Sequence, residues 1–294
     1  MGAYKIDDYS HKIIYPAISQ PKLDGFRCVA RYDINEKIVI LSSRNGKEFC
    51  HLNKIKEQLK IIFENLDEKY DKSQFYFDGE LYSKNMNFST LSGVIRTKNL
   101  NENKEKLQNE LVYNIFDCFY LPDLENLTFE NRYNILKNIF LKINKNKKFS
   151  NITLVPIKYI LSNQDIDKQY LDYIKEGYEG IIIRNKKGLY KIGGARSLDV
   201  FRSKEFKQST FKIIGYKEGQ GKEKGTPIWE LECQVDKSKH FSAKPIGSRE
   251  DRKKQFKNAN LLVGKIAKVK YIDLDNLTGC VSRNPVVKNI NKSS

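Results

Sequence analysis

The stretch Gln20–Arg27 reads QPKLDGFR, with a lysine two residues ahead of an aspartate that abuts a glycine. In extended backbone, residues two apart share a face, so Lys22 and Asp24 project together and Gly25 lets the chain turn close to a ligand. The same spacing recurs in FDGEL, where Asp78 and Glu80 share a face, and in FRSKEF, where Arg202 and Lys204 do. Each pair alone is weak, because most lysines are solvated surface charges and half-exposed strands alternate in this way routinely. Their combination carries more weight. An ammonium has no lone pair, so a nucleophilic lysine must lose its proton, and neighbouring cations favour that loss by penalising the charged form. The same cations grip phosphates, and carboxylates nearby hold a divalent metal that neutralises a phosphoryl oxygen.

Other routes to nucleotide or hydrolytic chemistry are closed. No G-x-x-x-x-G-K-[ST] loop occurs, and GQGKEKG at 219–225 departs from the G-x-G-x-x-G spacing and reads as a turn among strands. The histidines His11, His51 and His240 are isolated from one another, which argues against a histidine metal cluster or a Ser/His/Asp hydrolase. The cysteines Cys28, Cys50, Cys118, Cys233 and Cys280 are odd in number and widely spaced, so neither a disulfide framework nor a zinc ribbon is expected. An intracellular, reducing compartment fits that usage, and no apolar run is long enough for a membrane span.

The chain has 294 residues, 39% hydrophobic and 12% aromatic, so its charge content does not signal disorder. The net charge of +17 is spread along the sequence rather than gathered in a tail, which suggests a basic surface and makes nucleic acid the leading partner. Runs at 38–43, 75–82, 111–121, 152–156 and 180–184 read as strands, and 51–66, 124–143 and 163–178 carry helical spacing. After about Lys207 the segments become short and strand-like between Gly, Pro and charged turns, with one helical candidate at SREDRKKQFKNA. That rhythm is the size of a small OB-type barrel. The expected fold is therefore α+β: a domain at 1–206 of antiparallel sheets with flanking helices, then an all-β OB-fold domain at 207–294.

Taken in order, KLDGFR (22–27), SRNG (43–46), FDGEL (77–81), IFD (115–117), EGIIIR (179–184) and RSKEF (202–206) resemble motifs I, Ia, III, IIIa, IV and V of the covalent nucleotidyltransferases. Within that superfamily the chain most resembles the small, two-domain ATP-dependent DNA ligases of viruses and phages, with an ATP-grasp-like nucleotidyltransferase domain. The resemblance spans nearly all of the sequence. It implies that Lys22 attacks the α-phosphorus of ATP to form lysyl-AMP, that AMP passes to the 5′-phosphate of a nick in duplex DNA, and that the 3′-hydroxyl displaces it. Arg27 and Arg44 would hold phosphate or sugar oxygens, Glu80 the ribose hydroxyls, and Phe116 would stack on adenine. Arg202 and Lys204 would contact the α-phosphate, although the family usually has lysine at the first of these positions. Glu179, with Asp24 and Asp78, would manage Mg2+ or Mn2+; Asp24, Arg27 and Lys204 would act with Lys22 in catalysis. SRNPVV (282–287) resembles the core of motif VI, making Arg283 the candidate for orienting pyrophosphate.

The same resemblance implies a monomer that contacts DNA mainly through phosphates, works in replication, repair or recombination, and resides in the cytoplasm or nucleus of a host cell. The short KEGQGKEKG turn leaves no room for an inserted DNA-clasping hairpin, so Lys217, Lys222 and Lys224 are candidate phosphate contacts. ATP is the expected donor, because the 21 residues before Lys22 are too few for a nicotinamide-binding domain. A capping guanylyltransferase would end in an R-x-D-K-like motif that GCVSRNPVVKNINKSS lacks. RNA ligation stays open, and a non-enzymatic nucleic-acid-binding module is disfavoured by the presence of Lys22, Glu80 and Glu179 together.

Overall fold

The β-branched and aromatic runs of residues 1–204 form strands β1 (Gly2–Lys5), β2 (Ala17–Lys22), β3 (Phe26–Asp33), β4 (Ile38–Ser43), β5 (Phe75–Tyr82), β6 (Val112–Tyr120), β7 (Ile152–Leu154), β8 (Lys158–Ile160), β9 (Gly180–Asn185) and β10 (Arg196–Lys204). The computed structural model of the chain describes residues 1–144, 149–204, 207–275, 277–283 and 285–290. The helices of this part are α1 (Ile6–Tyr9), α2 (Asn53–Glu64), α3 (Phe88–Ile95), α4 (Glu102–Gln108), α5 (Phe129–Asn144) and α6 (Asn163–Lys175). The chain divides into two compact units, Met1–Lys204 and Glu205–Ser294.

The strands of the first unit build two five-stranded sheets, in the orders β1-β10-β9-β2-β8 and β4-β3-β5-β6-β7. Most pairs are antiparallel, as expected, and two edge pairs are parallel: β1 with β10 and β6 with β7. A parallel neighbour needs a crossover rather than a hairpin, and α5 supplies it between β6 and β7.

Each sheet buries one face under helices. Phe75, Phe77, Leu81, Tyr113 and Ile115 of the second sheet pack with Ile55, Leu59, Ile62 and Phe63 of α2 and with Leu136 and Phe140 of α5. In the first sheet Ala17, Ile160, Ile181, Ile183 and Phe201 pack with Ile166 and Tyr173 of α6. Helix α6 begins at a reciprocal cap, in which the Ser162 hydroxyl accepts from the Asp165 backbone and the Asp165 carboxylate accepts from Ser162 N. Two orphan donors are satisfied there at once. With period 2 along a strand, burying Ile181 and Ile183 turns Ile182 and Arg184 to the opposite face. That opposite face holds the cavity described below.

The second unit is formed by β11 (Lys207–Glu218), β12 (Pro227–Glu232), β13 (His240–Pro245), β14 (Ile266–Tyr271), β15 (Asp273–Leu274), β16 (Val281–Arg283) and β17 (Val286–Ile290). Helix α7 (Arg249–Lys257) lies at the helical candidate SREDRKKQFKNA. Strands β11-β12-β13-β17-β14 close into a barrel, and β15 pairs β16 as a separate two-stranded ribbon. The barrel core is Phe211, Ile213, Trp229, Leu231, Ala243, Ala267, Val269 and Val287, contributed by alternating positions of the five strands. Cys233 and Cys280 are disulfide-bonded with Cα atoms 4.5 Å apart, which corrects the expectation of no disulfide. Their 47-residue separation hid the pair; backbone bonds Gln234 N to Gly279 O and Val235 N to Thr278 O lay the two segments side by side. Among the described residues no helix is long and apolar enough to cross a membrane.

Candidate active site

The two sheets of the first unit enclose a cavity of about 190 Å³ lined by alternate residues of their strands. The first sheet supplies Gln20 and Lys22 of β2, Ile182 and Arg184 of β9, and Val200 and Arg202 of β10. The second supplies Arg27 of β3, Asp78 and Glu80 of β5, and Phe116 of β6, with Arg44 just past β4. The glycines that follow aspartate in both motifs are needed for close approach. A Cβ on Gly25 would sit 2.9 Å from Glu80 Cγ and collide with the Leu81 carbonyl, and one on Gly79 would sit 2.6 Å from Asn114 O and 2.7 Å from the Tyr113 ring. Replacing either would push β5 away from its neighbours.

Lys22, at the end of β2, pairs with Glu179, and Lys204 Nζ donates to the other oxygen of the same carboxylate at 2.9 Å. The backbone fixes this meeting, because Glu179 N donates to Lys22 O at 2.9 Å and Lys22 pairs with Gly180 in the β2–β9 ladder. Burial would raise the Glu179 carboxyl, but the charge and hydrogen bond of Lys22, joined by those of Lys204, hold it below its ordinary value. The Lys204 ammonium is lowered, by burial first and then by the charges of Lys22 and Arg202, against the pull of Glu179. Crowding by cations is thus felt at Lys204, while the nearest charged neighbour of Lys22 is an anion.

Glu80 faces the same cavity. Burial pushes its carboxyl up to about 8, reinforced by the charges of Asp78 and Glu179 and opposed by Lys22 and Arg27. It is therefore mainly protonated at neutral pH, able to donate one hydrogen bond and accept others.

The expected metal set is not gathered. Asp78 is 1% exposed and committed: Arg27 Nε donates to Oδ1 at 2.9 Å, Arg27 Nη2 donates to its second oxygen at 2.5 Å, and the Tyr190 hydroxyl donates to that same oxygen at 2.7 Å. Asp24 lies in the turn between β2 and β3, outside the residues that line the cavity. Among the described residues no group of three or more His, Cys, Asp or Glu side chains is placed to hold a metal. Arg27 also donates to the Met1 carbonyl, so most of its fork is occupied within the protein. Arg44 is exposed at the cavity and donates to Gly194 O at 2.6 Å. Arg202 lines the cavity on β10, in register with Ile182 of β9. Arg283 ends β16 in the second unit, and its side chain lies outside the described residues.

Several residues of the site were not singled out from the sequence. Arg184 is 5% exposed; its Nη1 donates to Asp117 at 3.0 Å and its Nε to Gln20 at 2.9 Å. Asp117, fully buried, also receives Arg132 Nε at 2.7 Å and Nη2 at 3.1 Å. Gln20 and Arg184 stand inside motifs quoted above, but their partners lie on strands far away in sequence. The only local signal was a polar residue at the end of an apolar run.

A family profile described as "ATP dependent DNA ligase domain" matches residues 4–204. The chain is 29% identical over 275 residues to the DNA ligase of African swine fever virus, covering 89% of this chain and 60% of that protein. It thus spans about 60% of the length of the curated relatives it matches. A solved structure titled "Pmar-Lig_PreS3" superposes with a TM-score of 0.82 at 21% identity, over 98% of this chain and 66% of that one. The adenylate form of chlorella virus DNA ligase superposes with a TM-score of 0.52 at 21% identity, over 100% of this chain and 98% of that one. These two likenesses bear on the fold.

Proposed function

We propose that this chain, which belongs to the family of ATP-dependent DNA ligases, seals 3′-hydroxyl/5′-phosphate nicks in duplex DNA by way of an adenylate carried on Lys22. The observation that carries the reading is the position of Lys22. Its amine meets Glu179, shared with Lys204, at a cavity whose other wall offers an aromatic ring, Phe116, and a protonated carboxyl, Glu80.

In the first step Lys22 Nζ, once deprotonated, forms a bond to the α-phosphorus of ATP as the bond to pyrophosphate breaks. Glu179 holds the amine on the cavity wall until nucleotide enters. Lys204, which shares Glu179 with that amine, and Arg202 on the same wall neutralise charge on the α-phosphoryl oxygens as they become more negative. Phe116 presents a face for adenine, and Glu80, neutral and able both to donate and to accept, suits the ribose hydroxyls. Arg44, exposed at the cavity with one bond to Gly194, is available to outer phosphate oxygens. Arg27 is better suited to holding Asp78 and the wall of the cavity than to gripping phosphate, since its donors are largely taken.

A divalent cation would be held by Glu179, the carboxylate that faces amines rather than a guanidinium and a phenol. Bound there, Mg2+ would supply charge neutralisation at phosphorus. The AMP then transfers to a 5′-phosphate, the Lys22 N–P bond breaks, and the 3′-hydroxyl displaces AMP to close the strand.

We read the units as a nucleotidyltransferase domain at 1–206 and an OB-fold domain at 207–294. Five closed strands with a helix between the third and fourth are what that fold requires, and α7 falls between β13 and β14. Lys222 and Lys224 in the β11–β12 turn suit DNA phosphates, whereas Lys217 is already paired with Glu230 at 2.5 Å. The working form is a monomer, with Arg283 the candidate that the resemblance names for orienting pyrophosphate.

The test is sealing of a nicked duplex by the purified chain with ATP and Mg2+, on all-DNA and RNA-containing strands. Joining of a DNA nick supports the reading. Joining of RNA nicks alone would replace it with RNA ligation.

A further inference from the structure

We infer that Arg184 is a positioning residue for the base, acting through Phe116; the inference rests on the nucleotidyl-transfer reading above. Its guanidinium packs over two aromatic rings, 5.4 Å from the Phe116 centroid and 4.6 Å from that of Phe129. In that plane it makes two directed bonds, Nε to Gln20 Oε1 at 2.9 Å and Nη1 to Asp117 Oδ2 at 3.0 Å. Gln20 completes a ring of contacts by donating from Nε2 to the Phe116 carbonyl at 3.1 Å. Asp117 is itself fixed by Arg132, whose Nη1 donates to Leu127 O at 2.7 Å and Gly188 O at 3.1 Å.

These contacts have a definite geometric effect. One side chain on β9 ties β2, two residues before Lys22, to β6 at the Phe116–Asp117 step, and so joins the two sheets that wall the cavity. The ring of Phe116 is packed by the guanidinium and its backbone is held by Gln20. A base stacking on it meets a surface already in place, so little ordering is left to be done on binding. Lysine at 184 would keep the charge, yet a single ammonium cannot pack flat on aromatic rings while serving Gln20 and Asp117 in one plane.

The experiment measures adduct formation with α-phosphate-labelled ATP and Mg2+ over a range of ATP concentrations, for the unaltered chain, Arg184→Lys, Phe116→Leu and the double variant. Arg184→Lys is expected to raise the half-saturating ATP concentration about tenfold, the weight of a weakened base–aromatic stack. Its rate at saturating ATP should stay within about threefold, as for a loss confined to binding. The double variant should be no worse than Phe116→Leu alone, because the two residues act as one unit. Effects that multiply in the double variant, an unshifted half-saturation, or a loss confined to the saturated rate would each overturn the inference. Should Arg184→Lys not fold by circular dichroism, Gln20→Met carries the same test, severing the bonds to Arg184 and Phe116 without changing charge. The same shift and the same non-additivity support the inference, and their absence overturns it. No adduct on the unaltered chain overturns the nucleotidyl-transfer reading and this inference with it; an adduct with an unaffected Arg184→Lys overturns this inference alone.

Discussion

Two carboxylates in the first unit each hold two cations, and the chemistry of the cations separates their roles. Asp117 binds the guanidiniums of Arg132 and Arg184, with side chains between 0% and 6% exposed. Glu179 binds the amines of Lys22 and Lys204, whose side chains are 18% and 16% exposed against 8% for the carboxylate. Arginine does not give up its proton and its planar fork fills two directions at once, which suits a sealed structural joint. Lysine is a compact charge on a flexible stem that can become a nucleophile, which suits a joint meant to open. The sealed cluster builds the cavity, and the open one works in it.

The largest expected effect is on the sealed side. Asp117→Ala leaves two guanidiniums buried without their anion and should cost about 3–5 kcal/mol of stability, read from urea unfolding. A loss below about 1 kcal/mol would mean the cluster is hydrated and the contrast false. On the open side the balance should reverse. Glu179→Gln should slow adduct formation by about 10²–10³-fold, as when a group poised at the reacting centre is lost. Its unfolding free energy should shift by no more than about 1 kcal/mol, since both lysines keep access to solvent.

A smaller effect should appear in pH dependence. Glu80 is raised to about 8 in the folded chain from the 4.5 of an ordinary glutamate. A carboxyl raised on folding contributes stability that is full below its unfolded value and is lost as pH rises through its folded value. The wild-type chain without nucleotide should thus lose stability between about pH 4.5 and 8 relative to Glu80→Gln. Thermal unfolding of the two chains across that window checks it; parallel curves would place Glu80 in a more polar setting.

Much of the open cluster was legible in the sequence and little of the sealed one. KLDGFR, FDGEL, EGIIIR and RSKEF, in that order, carried the resemblance that named Lys22, Glu80, Glu179 and Lys204, and strand periodicity paired Lys22 with Asp24, Asp78 with Glu80 and Arg202 with Lys204. The cluster at Asp117 depends on Arg132 and Arg184, 15 and 67 residues away, and no local pattern reports such a pairing. Asp78 shows the same limit. The resemblance implied a metal ligand there, and no local pattern reports its partners Arg27 and Tyr190, 51 and 112 residues away.

Short elements escaped as well. Helices α3 and α4 were passed over, although Asn87 and Asn101 cap them from one residue before each start and were a readable signal. The edge strands β1 and β8, four and three residues long, carry too little periodicity to be read at all. The disulfide between Cys233 and Cys280 belongs with these, set by barrel topology rather than by spacing.

The most direct measurement is the mass of the intact chain after exposure to ATP and Mg2+, followed by peptide mapping. One adenylate on Lys22, absent from Lys22→Ala, is the result this account predicts. An unmodified chain, or an adenylate on any other side chain, would contradict it.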